Sequence, residues 1–155
     1  MAYQTCMCNK CKDACLYKPG WYKPGEIEES AKLLGITDQE FFNKYVMVDY
    51  WVPDAEEPEP VFVLSPAIVG YQGGMAPFEP RGKCILFKDD KCIVHGAKPY
   101  ECAKYIHTFT IEEVRESHKS CMLAWKDHQD RIEELLGKKP EVPDIGFADV
   151  LSLLS

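Results

Sequence analysis

The spacing of apolar and polar residues predicts two short helices in the first third of the chain. The apolar positions that share one face of the first helix are Ile27, Ala31 and Leu34. This stripe predicts a helix over residues 26–34 that ends at Gly35. Thr37 and Glu40 have the spacing of a capping box, so a second helix should begin there and continue through Tyr45.

Two later segments, residues 46–52 and 61–64, are rich in β-branched and aromatic side chains, which is typical of strands. The run between them, residues 53–60, is acidic and rich in proline. Such a run cannot occupy the interior of a sheet, so we expect an exposed loop. Residues 70–82 hold four glycines and two prolines, which predicts irregular backbone. They lack the Gly-Lys-Ser/Thr ending of a phosphate-binding loop.

The second half of the chain combines a hairpin with helices. Residues 84–87 and 92–94 flank a polar tetrapeptide, which predicts a β-hairpin. Thr110 and Glu113 form a second capping box, which opens the longest helical pattern in the chain, and Gly137 ends that pattern. Its apolar stripe consists of Ile111, Val114, Cys121 or Met122, Trp125, Ile132 and Leu135 or Leu136. Together these elements predict a single helix-rich α+β domain over residues 1–155, with a small antiparallel sheet.

Composition and charge narrow the classes of function. The 155-residue chain carries a formal net charge of −7. This charge argues against binding to duplex nucleic acid, because such proteins present a basic surface. No segment reaches the roughly 18 apolar residues of a membrane helix, and the first residues lack the apolar core of a signal peptide. We therefore expect a cytoplasmic protein that binds neither nucleic acid nor membrane.

Cysteine is the residue type that points to chemistry. The chain has eight cysteines, which in a reducing compartment are typical of metal binding or redox work rather than of disulfides. Four of them lie within ten residues near the N-terminus: Cys6, Cys8, Cys11 and Cys15. The Cys8-x2-Cys11 spacing lets both sulfurs turn toward one ion, and Cys15 is within reach of the same loop. We keep Cys6 as an alternative ligand.

Three more cysteines form a second series downstream: Cys84, Cys92 and Cys102. Pro99 suits the first turn of a helix, so Cys102 should lie on a short helix. Our hypothesis is that the two series meet in space around a metal centre and that the fold brings them together. Cys121 instead falls on the apolar stripe of the long helix, where we expect it to fill the core.

Ligation by sulfur alone selects zinc or an iron–sulfur cluster over the hard cations. The spacing of two and then three residues between the N-terminal cysteines matches neither ferredoxin pattern. Hydrolase chemistry has no support, since neither a Ser-His-Asp order nor an HExxH motif occurs. A thiol redox protein that uses Cys8 and Cys11 is a further alternative, although the pair is not set between a strand and a helix as in thioredoxin.

Four blocks of the sequence follow one another in a distinctive order. They are Cys8-x2-Cys11-x2-Ala14-Cys15, residues 82–87, residues 92–95 and residues 98–102. In this order the blocks resemble the YkgJ-type CxxCxxCC proteins, which are described as zinc- or iron-chelating domains. The resemblance covers residues 6–106 and implies a cysteine-cluster module, followed by a helical extension over residues 107–155. A similar module accompanies flagellin lysine methylases, so a metalloenzyme, or a subunit of one, is the alternative function.

The resemblance implies a set of six metal ligands: Cys8, Cys11, Cys15, Cys84, Cys92 and Cys102. Ala14 stands where the family has the first cysteine of an adjacent pair, a role for which Cys6 could substitute. The implied cofactor is an iron–sulfur cluster, with a 4Fe–4S cluster preferred, or Zn²⁺. Six cysteines exceed the four that one such centre takes. We prefer one centre of four cysteines with leftover thiols, and a site of two zinc ions with bridging thiolates stays open. The centre would stabilise the fold or carry electrons for a protein partner.

A regular hairpin would keep two of these ligands apart. If the chain turns at residues 89–90, Cys92 faces Phe87, and Cys84 lies about 10 Å farther along the strand. A one-residue shift in register would instead pair Cys92 with Lys88 and put both cysteines on one face, at a separation of about 13 Å. One zinc ion cannot bind both sulfurs at that separation, because Zn–S distances are about 2.3 Å. Either the hairpin is irregular, or the two cysteines serve different centres, or one of them is not a ligand.

The sequence also predicts where two aromatic residues and three histidines lie. Trp21 and Tyr22 lie between two Pro-Gly turns and should fold back over the cysteine loop. His95 has an acceptable ligand spacing from the preceding cysteine, but on a straight strand it would face the opposite side. His118 and His128 lie on the long helical pattern, where we expect them to be solvated.

Overall fold

The computed structural model describes residues 20–77, 82–88, 91–97, 99–104 and 110–142. The N-terminal cysteines Cys6, Cys8, Cys11 and Cys15 lie outside these residues. The described elements are helices together with short antiparallel strands, which confirms the predicted α+β class.

The first two helices begin and end at the predicted residues. Helix α1 spans Glu26–Leu34 and closes on Gly35, whose φ of 71° is left-handed and therefore suits glycine. Helix α2 spans Asp38–Tyr45. The Thr37 side chain accepts the Glu40 amide proton while the Glu40 carboxylate accepts the Thr37 amide proton, so the capping box is present.

Loss of the Thr37 cap should weaken the fold by a small, measurable amount. We expect Thr37→Ala to lower the free energy of unfolding by about 1 kcal/mol, because the Glu40 amide loses its acceptor at the helix start. Thr37→Ser keeps the oxygen and should stay near the wild-type value. Urea unfolding followed by circular dichroism measures the difference, and equal midpoints for all three proteins would contradict the prediction.

The two predicted strands form an antiparallel pair. Strand β1 spans Val46–Trp51 and strand β2 spans Val61–Pro66, with Val46 opposite Pro66. Strand β2 continues two residues beyond the predicted end. Residues 52–60 join the strands as a mostly exposed loop, as their acidic and proline-rich composition predicts.

Strand β1 is hydrogen-bonded along both of its edges. Residues 74–76 pair with its second edge: the Val48 amide donates to Gly74 O, and the Ala76 amide donates to Val48 O, each at 2.8 Å. Because both edges are covered and helices pack on the pair, residues 46–50 are all buried. This placement explains how Asp49, a polar residue within a strand, becomes buried.

A hairpin and a short helix carry the downstream cysteines. Strands β3, Phe87–Lys88, and β4, Lys91–Cys92, pair antiparallel with Phe87 opposite Cys92, which is the register of the regular hairpin and not the shifted one. A 3₁₀ turn follows at His95–Ala97. Helix α3 spans Tyr100–Lys104, so Cys102 lies on a helix as predicted.

The long helical pattern breaks into two helices, so the prediction of one continuous helix is wrong. Helix α4 spans Ile111–Trp125, a 3₁₀ turn covers Lys126–His128, and helix α5 spans Gln129–Leu136. At the break, the Gln129 side chain pairs with the backbone of Phe62 in β2. Its Oε1 accepts the amide proton at 3.0 Å, and its Nε2 donates to the carbonyl at 2.9 Å. This long-range pairing has no counterpart in the local sequence pattern.

The apolar stripe of these helices is largely confirmed. The stripe residues that are buried are Cys121, Met122, Trp125, Ile132 and Leu135. Ile111 is 81% exposed, so its assignment to the stripe is wrong: the first turn of α4 extends beyond the core. The capping box of Thr110 and Glu113 and the end at Gly137 are both present. No helix among the described residues is long and apolar enough to cross a membrane.

Candidate metal centre

The described chain begins with three residues, Gly20–Tyr22, which we call the strap. The Gly20 amide donates to the Sγ atom of Cys102 across 3.3 Å. The Trp21 amide donates to Oε1 of Glu101 at 2.7 Å, and the Trp21 carbonyl accepts the Glu101 amide proton at 3.2 Å. The strap therefore lies against helix α3 at the residue that carries a proposed ligand.

Position 20 has no room for a side chain. A Cβ atom added to Gly20 would lie 2.6 Å from the Glu101 Cβ and 2.8 Å from the Cys102 amide nitrogen. Both distances are shorter than van der Waals contact. Glycine is thus the residue that lets the strap approach α3 closely enough to reach the sulfur.

Tyr22 anchors the end of the strap in the core. Its amide donates to the Leu64 carbonyl at 2.8 Å, and its carbonyl accepts a proton from Trp125 Nε1 at 2.6 Å. The Ser30 hydroxyl donates its single proton to Ala97 O at 2.6 Å. The Tyr22 hydroxyl must therefore be the donor in its 3.3 Å contact with Ser30 Oγ. All polar groups of this fully buried residue have partners.

The Tyr22 hydroxyl is sensitive to charge on the downstream thiols. Burial raises its pKa well above the ordinary value of 10.0. Negative charge on Cys102, Cys92 and Cys84 raises the pKa of the hydroxyl further. The three cysteines therefore lie within the range of electrostatic interaction with this buried side chain.

The strand predicted to begin at Cys84 is not formed, so that part of the hairpin prediction is wrong. The Phe87 amide donates to the Cys84 carbonyl at 3.1 Å, so residues 84–87 form a turn before β3 begins. The ends of such a turn are less than about 7 Å apart, against about 10 Å in an extended strand. The separation calculated for a regular hairpin therefore does not apply to Cys84 and Cys92.

The cysteines of the described chain differ in exposure. Cys84 is buried beside Ile68, with which it forms an antiparallel bridge, whereas Cys92 and Cys102 are half-buried. Cys121 is fully buried in the main core cluster, with its sulfur 4.0 Å from the Trp21 carbonyl oxygen. The prediction that Cys121 fills the core is confirmed.

His118 is not simply solvated, so the prediction for this residue is wrong. Its ring stacks on Trp21, with 4.1 Å between ring centroids. Its Nδ1 atom lies 2.5 Å from Oε2 of the buried Glu101, which is an ion-pair distance without the geometry of a hydrogen bond. The periodicity of the helix does not indicate that the strap packs against His118, which is why the prediction failed. His128 is exposed, as predicted.

Asp49 fixes the other side of the Trp21 ring. Its Oδ2 accepts a proton from Trp21 Nε1 at 3.0 Å, and its Oδ1 accepts the Tyr50 amide proton at 2.8 Å. Burial raises the pKa of the Asp49 carboxyl, although these two hydrogen bonds work against the rise. The indole is held between this carboxylate and the ring of His118.

The raised pKa of Asp49 predicts a pH dependence of stability. The folded pKa lies above the ordinary value of 3.8, so the contribution of protonated Asp49 is fully present below that pH. It is lost as pH rises through the folded pKa. We expect the unfolding free energy of wild type minus that of Asp49→Asn to fall as pH rises from 3.8 through the folded pKa and then to level off. Urea unfolding at a series of pH values tests this, and a difference that is constant or that rises with pH would contradict it.

The sequence did not predict the structural roles of several residues in this region: Gly20, Asp49, Glu101 and His118. Glu101 offered the only nearby signal, since it directly precedes a proposed ligand. Its contacts with the strap join residues 80 positions apart, and no local periodicity encodes such a contact.

The described residues do not form a complete metal site. Within residues 20–77, 82–88, 91–97, 99–104 and 110–142, no group of three or more cysteine, histidine or acidic side chains could hold a metal ion. The first cysteine series lies outside these ranges. The backbone of His95 lies in a 3₁₀ turn rather than a straight strand, and its side chain lies outside the described part. Its role as a ligand, and that of Cys6, stay predictions.

The donor atoms themselves suit the implied cofactors. Thiolate sulfur is the preferred ligand of zinc and of iron–sulfur clusters. The N–H donor at Cys102 matches the hydrogen bonds that surround the sulfurs of such centres. Comparison of the chain with protein-family models, with curated proteins and with solved structures finds no match. The resemblance to the YkgJ-type proteins therefore depends on the four sequence blocks alone.

Proposed function

We propose that this chain is a cytoplasmic metal-binding protein that holds an iron–sulfur cluster or zinc on cysteine thiolates. The proposed ligands come from both cysteine series: Cys8, Cys11, Cys15, Cys84, Cys92 and Cys102. The centre stabilises the fold or carries electrons for a protein partner. When bound, the metal supplies either a structural crosslink or a redox couple. A centre closed by four sulfurs has no open position for a substrate, which favours these roles over catalysis.

The hydrogen bond from Gly20 to Cys102 is the observation that carries the proposal. Gly20 is five residues after Cys15, and five residues span at most about 18 Å. The chain thus leaves the first cysteine series and within that reach contacts a thiol of the second series at 3.3 Å. This contact limits how far Cys15 can lie from Cys102.

The arrangement of the second series supports the same proposal. Cys84, Cys92 and Cys102 all lie within electrostatic range of Tyr22. Among the described residues they do not form a group that could hold a metal ion, so the four ligands of a zinc ion or cluster require donors from elsewhere in the chain. The N-terminal cysteines are the remaining cysteines of the proposed ligand set, and Cys15 is five residues before Gly20 in the sequence.

Metal analysis of the full chain, purified without exposure to air, tests the proposed function. Iron together with acid-labile sulfide and a visible charge-transfer spectrum would identify a cluster, whereas stoichiometric zinc without colour would identify a zinc centre. Cys121→Ala is a matched control, because it removes a core cysteine outside the proposed set. A protein that contains no metal and keeps its fold in excess chelator would overturn the proposal.

A further inference from the structure

Both backbone polar groups of Gly20 lie near the sulfur of Cys102. The Gly20 amide nitrogen lies 3.3 Å from Sγ as a donor, and the Gly20 carbonyl oxygen lies 4.0 Å from Sγ on the acceptor side. A thiol can use both contacts, whereas a thiolate can only accept. The shorter contact is the one that a negatively charged sulfur strengthens.

We propose that the Gly20 amide is an outer-shell donor that orients and stabilises Cys102 as a metal-bound thiolate, and that residue 20 must be glycine for this contact to form. This inference rests on the proposed function. It assigns a positioning role to Gly20, a residue without a side chain, in a strap that contains no ligand motif. Its role follows from geometry at Gly20 and not from the identity of the metal.

The donor is held in place by residues outside the proposed ligand set. The next residue, Trp21, is bonded to Glu101 through both its amide and its carbonyl. Its indole is fixed by Asp49 on one side and stacked on His118 on the other. A donor that is already oriented does not lose conformational freedom when the thiolate forms, so its full interaction is available to the centre.

The contact also links the two parts of the proposed ligand set. The N–H group belongs to the segment that follows Cys15, whereas the acceptor sulfur belongs to helix α3. Metal binding at Cys102 increases the negative charge on sulfur and so strengthens the hold on the strap. In an iron–sulfur centre the same hydrogen bond raises the reduction potential, because it favours the more electron-rich state.

Gly20→Ala tests the requirement for glycine. The added methyl group would collide with the Glu101 Cβ at 2.6 Å, so the strap must move away from the sulfur. Gly74→Ala is the matched control, since a Cβ at Gly74 meets no atom within 4 Å. We expect anaerobic Co²⁺ titrations, read by the sulfur-to-metal charge-transfer band, to give an affinity about tenfold or more below wild type for Gly20→Ala alone.

A backbone ester removes the donor without any steric change. Replacing Gly20 by glycolic acid converts its N–H to oxygen, and native chemical ligation at Cys15 and Cys84 gives access to the full chain. We expect this protein to show the same circular dichroism spectrum as wild type and a Co²⁺ affinity reduced by about tenfold. The ester separates loss of the hydrogen bond from displacement of the strap.

The outcomes distinguish this inference from the proposed function. If wild type and Gly74→Ala bind Co²⁺ through thiolates and the ester binds equally tightly, the Gly20 donor has no role and the inference is overturned. If neither wild type nor Gly74→Ala binds Co²⁺ through thiolates, the proposed function itself fails. A weakened ester with an intact fold supports both.

Discussion

Cys102→Ala is expected to lower the affinity for metal by more than about 100-fold. Removal of an outer-shell partner costs up to about 100-fold, and removal of a direct ligand should cost more. The substitution removes a proposed ligand, and it also leaves the Gly20 amide without its sulfur acceptor. Because alanine is a good helix former, helix α3 itself should persist. Competition between the protein and a chromogenic chelator for Zn²⁺, measured without air, gives the affinity.

Cys121→Ala provides the matched comparison for that experiment. Cys121 is also a cysteine near the strap, but it is fully buried in the core cluster. We expect its removal to create a small cavity and to leave the Zn²⁺ affinity near the wild-type value. Equal affinities for the two alanine variants would show that Cys102 is not a ligand.

Trp125→Ala is expected to lower the free energy of unfolding by about 3–5 kcal/mol. The indole is among the largest fully buried side chains, so truncation leaves a cavity in the middle of the core. The same change deletes the hydrogen bond from Nε1 to the Tyr22 carbonyl, which leaves a buried acceptor without its partner. Urea unfolding, with the slope compared to wild type, measures the loss.

Trp125→Phe separates the two contributions. Phenylalanine keeps most of the apolar volume but cannot donate to Tyr22, so the expected loss is about 1–3 kcal/mol. A smaller loss for Trp125→Ala than for Trp125→Phe, or a loss below about 1 kcal/mol for both, would contradict the role given to this tryptophan in anchoring the strap.

Features encoded by neighbouring residues could be predicted from the sequence. The capping box of Thr37 and Glu40 and the glycine stop at Gly35 depend on contacts within one helical turn. The register that places Phe87 opposite Cys92 follows from a two-residue connection between short strands. Each of these features has a local physical cause, and each is present in the structure.

Features created by distant residues could not be predicted. The strap joins Trp21 to Glu101, and His118 stacks on that tryptophan from a helix almost a hundred residues away. The break in the long helix coincides with the pairing of Gln129 with Phe62 across the core. A pattern of apolar positions reports which face is buried, but it does not report which polar partner lies on the other side.

The candidate site falls between these two cases. The sequence shows Cys84, Cys92 and Cys102 as a second cysteine series, and the resemblance to the YkgJ-type proteins implies that they are ligands. The sequence predicts a strand that begins at Cys84. The turn that begins there instead, with its hydrogen bond from Phe87, is a detail of backbone geometry that the residue types did not indicate. The position of Gly20 against Cys102 likewise became evident only from the fold.

Metal content after purification without air tests the central claim most directly, because that claim requires thiols from both cysteine series. The comparison uses wild type, the pair Cys8→Ala with Cys11→Ala, and the pair Cys92→Ala with Cys102→Ala, each checked for its fold by circular dichroism. We predict a sulfur-bound metal centre in wild type and its loss in both double variants. A wild-type metal content in either double variant, with the fold intact, would contradict a centre shared by the two cysteine series.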